Sequence, residues 1–277
     1  MLAAELALVK LCKAKGWKAP YNNAGGSIHT KSVSLHEKCG GTVFHVSLLW
    51  AYGNRFVIYM VIPDRMSAEK FATLIELTES LGKASYREVL KHGYLRSIEV
   101  AMDFIGLHTS DYFFHLVGAH TSKHVRSVSQ TAGTFYSGDA ESPVQLCAYN
   151  KSEQLIADGL HAPISKLLRI EMRLNGQTIL LPDLMTLKNP FARCWVCRRD
   201  ALSAIVQWHT TQGHWLMFLK RCAADGAAEA LNAAPSHLAP QFRKLLKDNQ
   251  ALWWNPEASW AAFGETALKQ LQAGSYV

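Results

Sequence analysis

Residues 142–154 read SPVQLCAYNKSEQ, in which apolar Val144, Leu146 and Ala148 alternate with Gln145, Cys147, Tyr149 and Lys151. A period of two is the signature of a strand with one face packed and the other presented outward. Tyr149 is therefore expected to share the presented face with Lys151, and a tyrosine so placed can act as a nucleophile. The pattern recurs twice. In YLRSIEVAMDFIG (94–106), Ile98, Val100, Met102 and Phe104 alternate with Ser97, Glu99, Ala101 and Asp103. In LLRIEMRLNG (167–176), Leu168, Ile170, Met172 and Leu174 alternate with Arg169, Glu171 and Arg173.

If these three strands are neighbours in one antiparallel sheet whose apolar face is covered by helices, Glu99, Asp103, Tyr149, Lys151 and Glu171 converge on the open face. Neighbouring strands lie about 5 Å apart, so side chains from different strands can share a metal ion. Carboxylates hold a hard divalent cation that polarises a phosphate, leaving the tyrosine to attack phosphorus. The ordinary alternative is a set of solvated cross-strand ion pairs around a good strand-forming tyrosine.

The chain has 277 residues, 49% of them hydrophobic, enough for a full core in one large domain or two smaller ones. Lys and Arg number 29 against 22 Asp and Glu, and the net charge of +7 favours a polyanionic partner. No apolar run reaches the roughly 18 residues that span a bilayer, and the opening MLAAELALVKLCKAKGW has its lysines after its apolar part, as in an amphipathic helix and unlike a signal peptide. Six scattered cysteines without such a peptide suit reduced thiols in a cytoplasm, with no disulfide framework.

Along the chain, TVFHVSLLW and RFVIYMVI form a hairpin around residues 51–54, and a helix capped by Ser67 runs to about Leu81. Then come the strand at 94–105, a helix beginning near residues 109–111, a strand at 133–137, the tyrosine strand, a short helix near 152–157 and the strand at 166–174. This order is α+β. ALSAIVQWHT, GHWLMFLKRCAA, APQFRKLLKDNQALWW and ASWAAFGETALKQLQA all read as helices. The expected organisation is a catalytic sheet domain over 1–190 and a helical subdomain over 191–277.

Cys194, Cys197, His209 and His214 form a competing constellation. Eleven residues separate Cys197 from His209, one short of the usual zinc-finger interval, and the intervening RRDALSAIVQW looks helical from its start, where a finger needs a hairpin. Buried thiols and surface histidines are the plainer reading. His108, His115, His120 and His124 form no His-x-His pair and are expected at the surface. No P-loop, G-x-S-x-G or dinucleotide glycine fingerprint is present, and the C-terminal tryptophans are expected to pack between helices.

YLRSIEVAMDFIG, TFYSGDAESPVQLCAYNKSEQ and LLRIEMRLNG, in that order, resemble the replication initiation factor family: rolling-circle initiators of plasmids and filamentous prophages, and related relaxases of mobile elements. The resemblance spans roughly residues 42–190 and is strongest from Tyr136 to Glu171. It implies an HUH endonuclease-like fold and a metal-dependent, sequence-specific nicking endonuclease and strand transferase. Tyr149 matches the tyrosine that becomes linked to the 5′ phosphate while a free 3′ hydroxyl primes synthesis. The resemblance implies Mg²⁺ or Mn²⁺ held by Asp103 and Glu171, with Glu99 as a third candidate, and Lys151 and Arg173 on the scissile phosphate. Its implied partners are origin DNA, single-stranded or in a hairpin, and a host helicase, with a homodimer left open. The chain departs from the family pattern in lacking an obvious N-terminal winged-helix or helix-turn-helix module and in carrying Cys147 and Ala148 before the tyrosine. Two further functions stand beside this one: a non-catalytic, zinc-stabilised DNA-binding regulator of a mobile element, and a basic structural or interaction protein.

Overall fold

The computed structural model describes residues 10–11, 13–16, 21–22, 30–36, 42–51, 55–61, 68–81, 86–125, 133–206 and 212–263. The chain divides into two compact units, one of Met1–Gly93 with Leu180–Pro182 and Lys269–Val277, the other of Tyr94–Ile179 with Asp183–Leu268. The division therefore falls near residue 93, where the expected boundary was 190. The C-terminal helices belong to the same unit as the tyrosine strand, because their apolar faces are part of its core.

The first unit holds an antiparallel meander of β1 (Tyr21–Asn22), β2 (Thr30–His36), β3 (Thr42–Ala51) and β4 (Arg55–Val61). The expected hairpin is the pairing of β3 with β4; Ala51 ends β3, and residues 52–54 of the turn, and Ser67, lie outside the described residues. Helices Ala68–Leu81 and Tyr86–His92 follow. Of the expected first helix, residues 10, 11 and 13–15 are helical, and its other residues lie outside the description.

The second unit contains β5 (Tyr94–Leu95), β6 (Ile98–Ile105), β7 (Tyr112–Leu116), β8 (Ser122–Val125), β9 (Thr134–Ser137), β10 (Val144–Asn150), β11 (Leu167–Leu174), the first residue of β12 (Ile179–Leu180) and β13 (Cys194–Arg198). Five of these make an antiparallel sheet in the order β6-β11-β10-β9-β8. The three patterned segments are thus adjacent, with β11 in the middle. Register fixes the faces: Tyr149 pairs with Arg169, which pairs with Asp103, while Cys147 pairs with Glu171 and Gln145 with Arg173. Glu99, Asp103, Arg169, Glu171 and Arg173 lie on one face with Tyr149, and Val100, Leu146, Ala148, Leu168, Ile170 and Met172 are buried on the other.

That apolar face shares its core with Trp260 and Phe263 of the helix Pro256–Phe263 but is covered mainly by strands. It packs on a two-stranded ribbon of β7 and β13, from which Tyr112, Phe114, Leu116, Cys194 and Val196 point at the sheet. Phe113 and Cys197 point the opposite way, into a second core built with Leu202, Trp215, Phe218, Phe242 and Leu246 from helices Arg199–Val206, Gln212–Ala224 and Ala239–Asp248. Sheet, ribbon and helices form three layers. A strand buried on both faces is apolar throughout and shows no alternation. This is why YFFHL, expected within a helix opening at 109–111, is a strand preceded by a single 3₁₀ turn at Thr109–Asp111.

The helix expected over residues 239–254 stops at Asp248, since Ala251 donates its N–H to the Val196 carbonyl (2.7 Å) and Trp254 reaches the Cys194 carbonyl with its indole N–H (2.9 Å). Each fully buried Leu, Ile or Met in these layers contributes about 1.5–3 kcal/mol of transfer free energy. The fold is α+β, as the order of elements implied.

Candidate active site

Tyr149 is the last residue but one of β10, and the turn out of that strand is made by the next residue. Asn150 caps the helix Lys151–Ala157, its side-chain oxygen accepting the N–H groups of Ser152 (3.1 Å) and Glu153 (3.3 Å). Glu153 is tied down in turn by His108, whose Nε2 lies 3.0 Å from its carboxylate. The strand therefore ends before Lys151. The alternation placed Lys151 on the strand beside Tyr149, but it is the first residue of the helix. From there its Nζ donates to Gln154 Oε1 (3.0 Å) and lies 5.9 Å from the centroid of the Tyr149 ring.

The Tyr149 hydroxyl donates to Glu171 Oε2 (3.2 Å), and both side chains are buried, at 8% and 6% exposure. Glu171 Oε1 accepts from Arg173 Nε at 2.7 Å, and the same Nε lies 3.5 Å from Glu99. Asp103 is gripped by Arg169 through two bonds, Nε to Oδ1 (2.6 Å) and Nη2 to Oδ2 (2.7 Å), the fork geometry in which guanidinium and carboxylate fit best. Charges alternate across the face, so each carboxylate has an arginine.

Burial first, and the Glu171 carboxylate second, push the Tyr149 phenol above its ordinary pKa, while Arg169 beside it pulls the other way. A resident phenolate is thus disfavoured. The tyrosine can become a nucleophile by passing its proton to Glu171 as it attacks, with two guanidinium groups balancing the charge. Beside it, burial and then Glu171 push the Cys147 thiol up to about 12, so Cys147 stays protonated.

The structure brings together Tyr149, Glu171, Arg173 and Glu99 as one bonded set, with Asp103 joined to the face through Arg169. Arg169 was visible as a residue of this face, but its grip on Asp103 was not, because pairing depends on a register that one sequence does not contain. The carboxylates do not fit a ready-made ion site. A cation on Asp103 would displace Arg169, and one on Glu171 would displace Arg173. Among the described residues, no three His, Cys, Asp or Glu side chains are grouped to hold a metal.

The zinc-finger spacing is not realised at its cysteines. Cys194 and Cys197 lie three apart on β13 and so face opposite sides, one in each core. Burial pushes both thiols up, Cys197 to about 12. His214 is exposed on its helix, and His209 lies outside the described residues. Of the histidines expected at the surface, only His120 is exposed. His115 is buried on β7 against Trp195 (5.3 Å between rings), His124 stacks on Phe135 (3.8 Å), and His108 bonds to Glu153. Trp215 packs between helices, as expected, whereas Trp254 lies outside any helix and is buried in the sheet core beside Phe104 and Phe191.

No family model and no curated protein matches the chain. Among solved structures, it is similar to the rolling-circle replication initiator protein from Geobacillus stearothermophilus, with a TM-score of 0.39 and 13% identity over 77% of this chain and 86% of that one. No helix among the described residues is long and apolar enough to cross a membrane.

Proposed function

We propose that the protein is a DNA-nicking strand transferase that initiates rolling-circle replication. The observation that carries the proposal is the buried hydrogen bond from the Tyr149 hydroxyl to Glu171 Oε2, flanked by Arg169 and Arg173. In the proposed step the Tyr149 oxygen attacks the scissile phosphorus and its proton passes to Glu171. The bond from phosphorus to the 3′ oxygen breaks, and that oxygen takes a proton from water. The products are a 5′-phosphotyrosine and a free 3′ hydroxyl. Splitting the reaction this way preserves the phosphoester energy for rejoining.

Arg173 holds the carboxylate of Glu171 toward the phenol, and Arg169 stands beside the phenol as charge develops. Lys151, over the Tyr149 ring, is the proposed cation for the scissile phosphate. The family resemblance of the three strands, the two arginines at the tyrosine and the net charge of +7 support a polyanionic substrate. Origin DNA, single-stranded or in a hairpin, is that proposed substrate. A host helicase, a cytoplasmic location and action as a homodimer belong to the same proposal.

Mg²⁺ or Mn²⁺, held by Asp103, Glu171 and Glu99, is the cofactor that the resemblance implies, and such an ion would supply polarisation of the phosphate. It would have to compete with Arg169 and Arg173 for these carboxylates. The experiment is incubation of the protein with a single-stranded DNA library, with and without Mn²⁺. A covalent adduct on Tyr149 is expected. Binding without any adduct in either condition would favour a non-catalytic DNA-binding protein.

A further inference from the structure

The charged sheet face carries a second tyrosine with the same companion as the first. Tyr136 on β9 has Lys123 of β8 over its ring, with Nζ 5.4 Å from the centroid, as Lys151 lies over Tyr149. Register places Lys123, Tyr136, Cys147 and Glu171 in one row across four strands. Tyr149 pairs directly with Thr134, so Tyr136, two residues further along β9, is its diagonal neighbour on the same face. Such neighbours have backbones roughly 7–8 Å apart, within the span of one extended nucleotide. Tyr136 is half-buried, which fixes the ring, and Lys123 is exposed.

The proposed nicking reaction gives Tyr149 a phosphate to attack but nothing to hold the adjoining nucleotide. An aromatic ring accepts any nucleobase on its face, and an ammonium close by pairs with the phosphate of the same nucleotide. We infer that Tyr136 and Lys123 form a nucleotide-binding subsite next to Tyr149. There the flanking base displaces the Lys123 ammonium from the Tyr136 ring, and the ammonium moves to that nucleotide's phosphate. The subsite rests on the proposed nicking function for its position along the strand. Its contacts make single-stranded DNA the ligand, since a base in a duplex has no open face. Stacking tolerates every base, so sequence preference must arise elsewhere on the protein.

The test uses the full chain and fluorescent oligodeoxythymidylate, with binding followed by anisotropy across a salt series and covalent adduct followed separately by mass spectrometry. Tyr136→Leu should weaken binding about five- to hundredfold, and Tyr136→Trp should restore it. Lys123→Gln should weaken binding and reduce the slope of log affinity against log salt by about 0.7, one phosphate contact on a single strand. Lys123 is exposed, so this variant remains informative even if Tyr136→Leu fails to fold. Wild-type affinity and salt slope in Tyr136→Leu and Lys123→Gln would overturn the subsite. If the wild-type protein forms an adduct while these variants bind unchanged, the subsite fails and the nicking function stands. If the variants lose binding while the wild-type protein forms no adduct on any DNA, the subsite is supported and the nicking function fails.

Discussion

Tyr149 on β10 donates its hydroxyl to Glu171 on the neighbouring β11 across 3.2 Å, and neither side chain is open to bulk water. The two residues are not directly paired. Tyr149 lies opposite Arg169 and Glu171 lies opposite Cys147, so the bond runs diagonally along the face. Arg169, opposite Tyr149, bonds Asp103 on the far side.

If Glu171 takes the phenol proton, Glu171→Gln should keep a hydrogen-bond acceptor for Tyr149 while removing the base. We expect adduct formation to fall by about 10²- to 10⁴-fold, the usual worth of a positioned general base, with the far-ultraviolet circular dichroism unchanged. Single-turnover nicking measures this. A variant retaining more than about a tenth of wild-type rate would assign the proton to another acceptor.

The Asp103–Arg169 pair is expected to be structural as well as electrostatic. Asp103→Ala should cost about 1 kcal/mol in urea denaturation, a modest figure because the carboxylate is 39% exposed. The double variant with Arg169→Ala should be less destabilised than the sum of the two single changes, since either one already breaks the pair.

The three patterned strands could be read from sequence because each alternates apolar residues with polar or charged ones, a period of two that a single chain displays even where, as on β10, the polar face is itself buried. The ribbon could not. YFFHL is buried throughout and CWVCR largely so, and their apolar residues run on without a period. Lys151 illustrates a signal present but unread: Asn150 followed three residues later by Glu153 is the spacing of a helix cap, which stops the strand one residue before Lys151. Arg169 lay in plain sight on the charged face. Its partner was hidden because register between strands separated by 66 residues is set by tertiary packing.

Buried His115 should make the fold sensitive to acid. Burial, and then the nearby Arg243 charge, lower its pKa from the ordinary 6.5 to about 4, and its Nδ1 has no hydrogen-bond partner among the described residues. The unfolded chain binds a proton below about pH 6.5 that the folded chain refuses until about pH 4. Stability from the neutral imidazole is therefore fully present above pH 6.5 and is lost as pH falls toward 4, by about 3 kcal/mol in all. Urea denaturation from pH 7.5 to 4 checks this, with His115→Phe expected to flatten the profile over that interval.

Cys194, Cys197 and Cys222 are free thiols held in the cores. Under native conditions they should resist iodoacetamide, and peptide mapping should find them labelled only in denaturant. Adding zinc or a chelator should leave the melting temperature unchanged. A rise in melting temperature with stoichiometric zinc would contradict the assignment of these thiols to packing.

The central claim is that Tyr149 forms a covalent bond to DNA, and mass spectrometry of the protein after incubation with a single-stranded DNA library and Mn²⁺ tests it most directly. We predict an adduct on the peptide containing Tyr149, carrying the 5′ phosphate of the cleaved strand, and its loss in Tyr149→Phe. An adduct of unchanged yield in Tyr149→Phe, or nicked DNA without any protein adduct, would contradict the account.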